Sequence, residues 1–277
     1  MNNSNRCKLC GATAAPRYDL LDTVVRVCAR CDLHFIDYLD DLEAAAKPGA
    51  ALQDAERRYI EERLPAAAAL LDWRIDLLQR YLELPGARIL DVGAGVGQFL
   101  RRLKEAGAAG EGIEPSRVRR RFAAEKFGLQ LHGAPVDAAG GREGLGAFDA
   151  LTLWEVIEHV NDPLATVRAA WRLLKPGGLL FVETHSREVP SYRLSQFVHR
   201  LTGGRISLFL RNFYAPIPFG HKQIFTPGQL TALLEQNGFR TLFAGSAYPA
   251  DLSPSLLRPK DKIVVVGQKP ATGLADG

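Results

Sequence analysis

No stretch of this 277-residue chain approaches 18 uninterrupted apolar residues, so no membrane-spanning helix is expected. The opening residues, Met1-Asn2-Asn3-Ser4-Asn5, have no apolar core of the kind a secretory leader carries, and the cytoplasm is the expected location. Charge of one sign is not in excess. Thirty-five basic residues against 31 acidic ones leave a formal net charge of +4, too little by itself to argue for nucleic acid. No segment repeats. Cysteine is missing from everything after residue 31: the only four are Cys7, Cys10, Cys28 and Cys31. In a reducing compartment that pattern points to a metal rather than to disulfides. The chain is 47% hydrophobic, which suits one α/β domain with a small appendage.

The appendage is residues 1–40. Two Cys-x-x-Cys pairs, 17 residues apart between Cys10 and Cys28, have the spacing of a four-cysteine zinc site. Between them, Arg17–Val27 carries Tyr18, Val24, Val25 and Val27 and reads as a β-ribbon; Leu33–Tyr38 reads as a further short strand. Four thiolates saturate a tetrahedral ion and leave no open position, so a structural Zn2+ is favoured over a catalytic one. A redox pair lacks a βαβ context. His34 is then expected to pack in the ribbon rather than bind metal.

Residues 41–65 read as a linker with a polar helix. Residues 66–270 form the main domain. A helix is expected over Ala66–Leu84, where Leu70, Leu71, Ile75, Leu77, Leu78, Tyr81 and Leu82 recur at helical spacing. Strands are expected at Arg88–Val92, Gly110–Glu114, Gln130–His132, Ala150–Leu153, Leu179–Thr184, Phe239–Ala244 and Asp261–Gln268. Helices alternate with them at Val96–Ala106, Ser116–Phe127, Pro163–Leu174 and from Thr226 to Asn237. A glycine-rich loop, Asp137–Gly146, and an insert, residues 186–223, interrupt the rhythm. This alternation implies an α/β fold, a doubly wound, mostly parallel seven-stranded Rossmann-like sheet, with a crevice at the carboxyl ends of its strands. Residues from Lys269 onward are expected to be disordered.

The string Ile89-Leu-Asp-Val-Gly-Ala-Gly-Val-Gly-Gln-Phe-Leu100 places Gly93, Gly95 and Gly97 between a strand and a helix. Glycines there admit unusual dihedrals and let a ligand approach bare backbone. The third glycine comes one residue too early for the dinucleotide fingerprint G-x-G-x-x-G. Asp-x-Gly-x-Gly-x-Gly instead resembles motif I of the class I S-adenosylmethionine (SAM) methyltransferases. Glu114 follows 21 residues after Gly93, where a carboxylate can accept both ribose hydroxyls. Phe148–Pro163, Leu173–Glu183 with its Lys-Pro-Gly-Gly turn, and His221–Phe239 match the same family in order. Together with the cysteine ribbon, the chain resembles bacterial methyltransferases encoded among glycan and natural-product biosynthesis enzymes. The resemblance implies SAM and structural Zn2+ as cofactors. It places SAM against Asp91, Gly93, Ala94, Gly95, Gly97, Glu114, Pro115, Ala134 and Trp154. Ala134 would offer its backbone amide to adenine, in a loop that lacks the family's usual acidic residue.

Methyl transfer from a sulfonium needs an aligned acceptor and, for a weak one, a base. The candidates are His221, which closes the insert, His159 in Glu155-Val-Ile-Glu-His-Val160, and Glu155 itself. His185 ranks below these histidines, and Glu158 reads as a surface or capping acid. His159 reads equally well as a histidine that packs locally. The insert carries Arg187, Arg193, Arg200, Arg205 and Arg211 among aromatics, either a substrate lid for an anionic small molecule or a solvated basic face. Attachment to anionic lipid is disfavoured because Gly203-Gly204 breaks any long amphipathic helix. The expected acceptor is a sugar, nucleotide-sugar or natural-product intermediate, methylated on oxygen, nitrogen or carbon. Two other readings compete: a zinc-ribbon ribosomal RNA base methyltransferase, for which the ribbon is not notably basic, and a non-catalytic SAM- and zinc-binding scaffold. Nucleic acid is not the expected partner, and the oligomeric state is left open.

Overall fold

The computed structural model describes residues 5–41, 53–62, 64, 68–137, 148–246 and 262–271. The expected glycine-rich loop, much of the 41–65 linker and most of the expected tail lie outside these residues. The strands form two sheets. The first is four-stranded, in the order β1 (Ala14–Asp19), β2 (Val24–Cys28), β3 (His34–Ile36) and β8 (Gln223–Ile224). The second is six-stranded, in the order β5 (Ala109–Ile113), β4 (Arg88–Val92), β6 (Phe148–Trp154), β7 (Leu174–His185), β10 (Lys262–Gln268) and β9 (Arg240–Gly245). The helices are α1 (Asp54–Glu61), α2 (Ala68–Gln79), α3 (Gln98–Glu105), α4 (Arg117–Phe127), α5 (Pro163–Leu173), α6 (Pro190–Leu201) and α7 (Pro227–Glu235), with a 3-10 helix at Leu208–Phe213. Contacts divide the chain into two compact units.

One unit comprises Asp41–Leu153, Ala169–Phe181 and the residues from Lys269. Here β4 pairs in parallel with both β5 and β6, with Asp91 opposite Gly112 on one side and Thr152 on the other. Ile89, Leu90, Ala150, Leu151 and Leu153 are buried, giving the near-continuous apolar strands of a sheet covered on both faces. β5 is an edge, and its first two residues are exposed. The seven-stranded sheet expected from the sequence has six strands among the described residues. The missing one, Gln130–His132, is reduced to a single parallel bridge from His132 to Ile113. His132 bonds Gly112 and Glu114 through its backbone, and the next carbonyl along, that of Glu114, accepts from the Arg120 guanidinium. The turn expected at Pro176-Gly177-Gly178 is instead absorbed into β7. Gly177 takes φ 82°, and Gly177 and Gly178 exchange backbone bonds with Lys269.

The other unit gathers the N-terminal residues to Asp40, Trp154–Arg168 and Val182–Gln268. The ribbon does not close on itself: its fourth strand, β8, is supplied from the end of the insert, with His34 opposite Ile224 and Phe35 opposite Gln223. The insert packs on the ribbon through its aromatics. Tyr192, Leu210 and Tyr214 share a buried cluster with Tyr18, Val25, Ile36 and Ile224. α5 starts where expected, with the Asp162 carboxylate accepting the Ala165 N–H and Pro163 leading the helix. α7 starts on a capping box, in which Thr226 and Gln229 exchange side-chain and backbone bonds. β9 and β10 pair antiparallel at the second edge.

Candidate functional site

The glycine turn follows β4 directly. Gly93, Gly95 and Gly97 have φ of 76°, 58° and 81°, a region that side-chain-bearing residues rarely enter. Around Gly95 a Cβ would meet nothing within 4 Å, so the turn presents open backbone at that point. Around Gly97 a Cβ would run into the Leu129 side chain, so this glycine is there for packing. The Glu114 side chain stands beside the turn and is almost wholly buried. Its Oε2 accepts the Gly95 N–H and its Oε1 the Ser116 N–H, each at 2.8 Å. Burial raises its pKa, against Arg119 and those two amides. Each oxygen keeps lone-pair capacity for one more donor, which is what two vicinal ribose hydroxyls require.

Asp91 is buried on β4, and Thr152 Oγ1 donates to its Oδ1 at 2.7 Å. Burial pushes its pKa up to about 7. Pro115 and Glu114 present their carbonyls to the Arg120 guanidinium. Ala94 donates its N–H, with that of Gly93, to Ile113 O. Ala134 follows the His132 bridge. Trp154 ends β6 and is buried.

In the other unit, the residues after β6 make a tight turn. Glu155 opens it with φ 56°, strained for a non-glycine, and its N–H donates to Glu183 O on β7. The Glu155 carboxylate lies 3.2 Å from His185 Nε2 and 2.6 Å from Lys262 Nζ. Against the burial that would raise it, these partners hold its pKa well below the usual carboxylate range, so Glu155 is a permanent anion and a poor base. His185 is pulled down by burial and, more strongly, up by Glu155 and Glu158; its pKa is raised on balance.

His221 lies beside both other rings of this turn, with centroids 4.6 Å from His159 and 5.3 Å from His185. Burial and those two neighbours lower its pKa to about 4, so it is neutral near pH 7. Burial also lowers that of His159, whose Nδ1 has no hydrogen-bond partner. Glu158, expected at the surface, is fully buried with neither oxygen hydrogen-bonded, and burial raises its pKa to about 7.

The expected set Glu155, His159 and His221 is therefore brought together, with His185 and Glu158 added. What the sequence reading missed is the frame that holds them. Lys222, fully buried, donates to Asp40 Oδ2 at 2.8 Å and to the His159 carbonyl at 2.6 Å. Gln223 donates to the carbonyls of Ile157 and Val160 and accepts from Lys8. The signal was present in the polar pair Lys222-Gln223 ahead of an apolar run, but nothing local says that these side chains point inward.

The four cysteine sulfurs converge: Cys7 and Cys31 are 3.4 Å apart, Cys10 and Cys28 3.5 Å, and Cys10 and Cys31 3.6 Å. A tetrahedral ion with bonds of about 2.3 Å holds its sulfurs about 3.8 Å apart, so the donor set fits zinc and is far too open for disulfides. Amides of Leu9, Arg30 and Cys31 point at the sulfurs. Burial raises the Cys7 pKa to about 11. At Cys28 burial acts the same way, but the amides of Cys31 and Arg30 outweigh it and bring the value to about 7.

His34 is a packing residue, as expected. Arg187 donates to its Nε2 at 2.7 Å, so Nδ1 carries the proton that meets Tyr192 Oη. Arg187 also binds Asp32, which takes it out of the set available for an acceptor; Arg193, Arg200 and Arg205 are exposed.

A family model described as a methyltransferase domain matches residues 56–242. The ubiquinone biosynthesis O-methyltransferase of Xanthomonas campestris pv. campestris is 37% identical over 134 residues, 46% of this chain and 55% of that protein. The chain thus spans about half the length of the curated relatives it matches. Among solved structures, the complex of the Haloferax volcanii Trm112 methyltransferase activator with its methyltransferase aligns over 83% of this chain and 98% of its own, with TM-score 0.54 and 18% identity. A SAM-dependent methyltransferase from Mesorhizobium loti aligns over 72% and 99%, with TM-score 0.52 and 20% identity. At those identities the likeness shows the fold alone.

Proposed function

The chain belongs to the methyltransferase-domain family, and from that premise we propose that it moves the methyl group of SAM to a hydroxyl of a small-molecule acceptor: a sugar, a nucleotide-sugar or a natural-product intermediate. The observation that carries the cofactor assignment is the pairing of the open, left-handed Gly95 turn with a buried Glu114 that retains acceptor capacity on both oxygens. Gly93, Gly95 and Gly97, with Asp91, Ala94 and Pro115, would hold the amino-acid and nucleoside parts. Glu114 would take the ribose and Ala134 the adenine. SAM supplies a methyl group already activated on sulfur. The hydroxyl assignment draws on the curated relatives, which are named for O-methylation.

This chain's own work is then to orient the acceptor and remove its proton. The imidazole of His221 or of His159 would take it. Glu155 positions His185 rather than acting as base. The four cysteines would hold one structural zinc, stabilising a ribbon too small to bury much core.

The test uses SAM with a labelled methyl group and panels of sugars, nucleotide-sugars and hydroxylated aromatic compounds. Label is expected in a new methyl ether. Label in RNA or on nitrogen, or none in any hydroxyl compound, would overturn the assignment.

A further inference from the structure

Glu158 is out of keeping with its surroundings. Its side chain is fully buried and neither oxygen is hydrogen-bonded, whereas buried carboxylates normally have partners. The nearby cations are committed elsewhere: Lys222 to Asp40, and Lys262 to Glu155 and Glu183. Lys262 is already shared by two carboxylates, Glu155 and Glu183. Facing Glu158 are His185, at the end of β7, and His221, at the end of the insert. One donor atom from each of Glu158, His185 and His221 lies within 4.8 Å of the other two.

We propose that Glu158, His185 and His221 bind a divalent first-row metal ion of the zinc class, at a site separate from the four cysteines. Two imidazoles and a carboxylate from three separate segments are a donor set such ions favour. Bonds of about 2.1 Å would hold the donor atoms about 3.0–3.4 Å apart, so the side chains need to close on the ion by no more than about 1–2 Å. A dication gives the Glu158 carboxylate its partner. Glu155, at His185 Nε2, is the carboxylate that commonly backs a metal-bound histidine and fixes its tautomer. Three protein ligands leave open positions. On the methyltransferase reading, on which this part rests, an open position takes the acceptor's oxygen. The pKa of a hydroxyl bound there would be lowered. The metal changes neither charge nor oxidation state.

The full chain is loaded with Zn2+, desalted, and its metal counted by mass spectrometry, with SAM binding followed by calorimetry in parallel. Two ions per chain are expected. His185→Ala and His221→Ala should each hold one while binding SAM within a few-fold of the parent, and Cys7→Ser should lose the other. Glu158→Gln should match the histidine variants; if it does not fold, those two carry the test. A parent chain that binds SAM but holds a single ion, with a count unmoved by either histidine substitution, overturns the metal site and leaves the methyltransferase reading standing. Two ions without SAM binding supports the site and overturns that reading.

Discussion

Replacing Lys222 by Met tests the frame of the site. Lys222 is fully buried, and its ammonium reaches Asp40 Oδ2 at 2.8 Å and the His159 carbonyl at 2.6 Å. Met fills nearly the same volume, so packing changes little. Asp40 keeps one donor, the Phe219 N–H at 3.0 Å, but loses its counter-charge in a site from which water is excluded. Removing one partner of a buried ion pair costs about 3–5 kcal/mol, because the surviving charge stays buried and unpaired. At roughly 2–4 °C per kcal/mol for a chain near this size, the melting temperature should fall by about 6–20 °C. Urea denaturation of Lys222→Met, Asp40→Asn and the double variant completes the cycle. The double variant should be less destabilised than the sum of the single ones by about 1–3 kcal/mol, since neither charge is then left alone. A Lys222→Met chain within about 0.5 kcal/mol of the parent, or strictly additive effects, would refute the argument.

Asp91 sets a pH dependence. Its folded pKa of about 7 lies above its ordinary 3.8, so the stability it contributes is present below pH 3.8 and lost as pH rises through 7. Asp91→Asn, whose amide oxygen can still accept from Thr152, should gain up to about 4 kcal/mol relative to the parent between pH 4 and 7, at 1.36 kcal/mol per pKa unit. A flat difference in urea titrations across that window would contradict it. Among the glycines, Gly95→Ala should cost only left-handed strain, about 1–2 kcal/mol. Gly97→Ala must also displace Leu129, adding about 1–3 kcal/mol; the reverse order by thermal melting counts against the packing role. Cys7→Ser should release the ribbon's zinc, whose binding is worth roughly 10–16 kcal/mol in comparable peptides. The amide spectrum of β1–β3 should collapse with it, and a ribbon that stays folded without metal would remove the zinc assignment.

Much of this was legible in the sequence because it is written locally. A strand, three glycines and a helix start are contiguous, so the turn and Glu114 could be placed from spacing alone. The cysteine pairs likewise announce their convergence. The caps of α5 and α7 are read from Asp162-Pro163 and Thr226-Pro227. What was not legible depends on distant residues. The shrinkage of the Gln130–His132 strand to one bridge is set by a register that only the fold fixes. The fourth strand of the ribbon, Gln223–Ile224, lies nearly 190 residues from its partner in sequence, and no periodicity marks a two-residue strand. Glu158 reads as polar surface because helical turns usually expose glutamates. Its burial follows from segments around residues 185 and 221 closing over it, and the same closure makes His185 a partner of Glu155 rather than a bystander.

The central claim is that the glycine turn and Glu114 bind SAM, and calorimetry tests it directly. The parent chain should bind SAM and its demethylated product but not NAD. Glu114→Ala removes an acceptor of charge-assisted bonds, each worth about 1.5–3 kcal/mol, and should weaken SAM binding about 10- to 100-fold. A folded parent that binds no SAM, or a Glu114→Ala variant that binds it unchanged, would contradict the account.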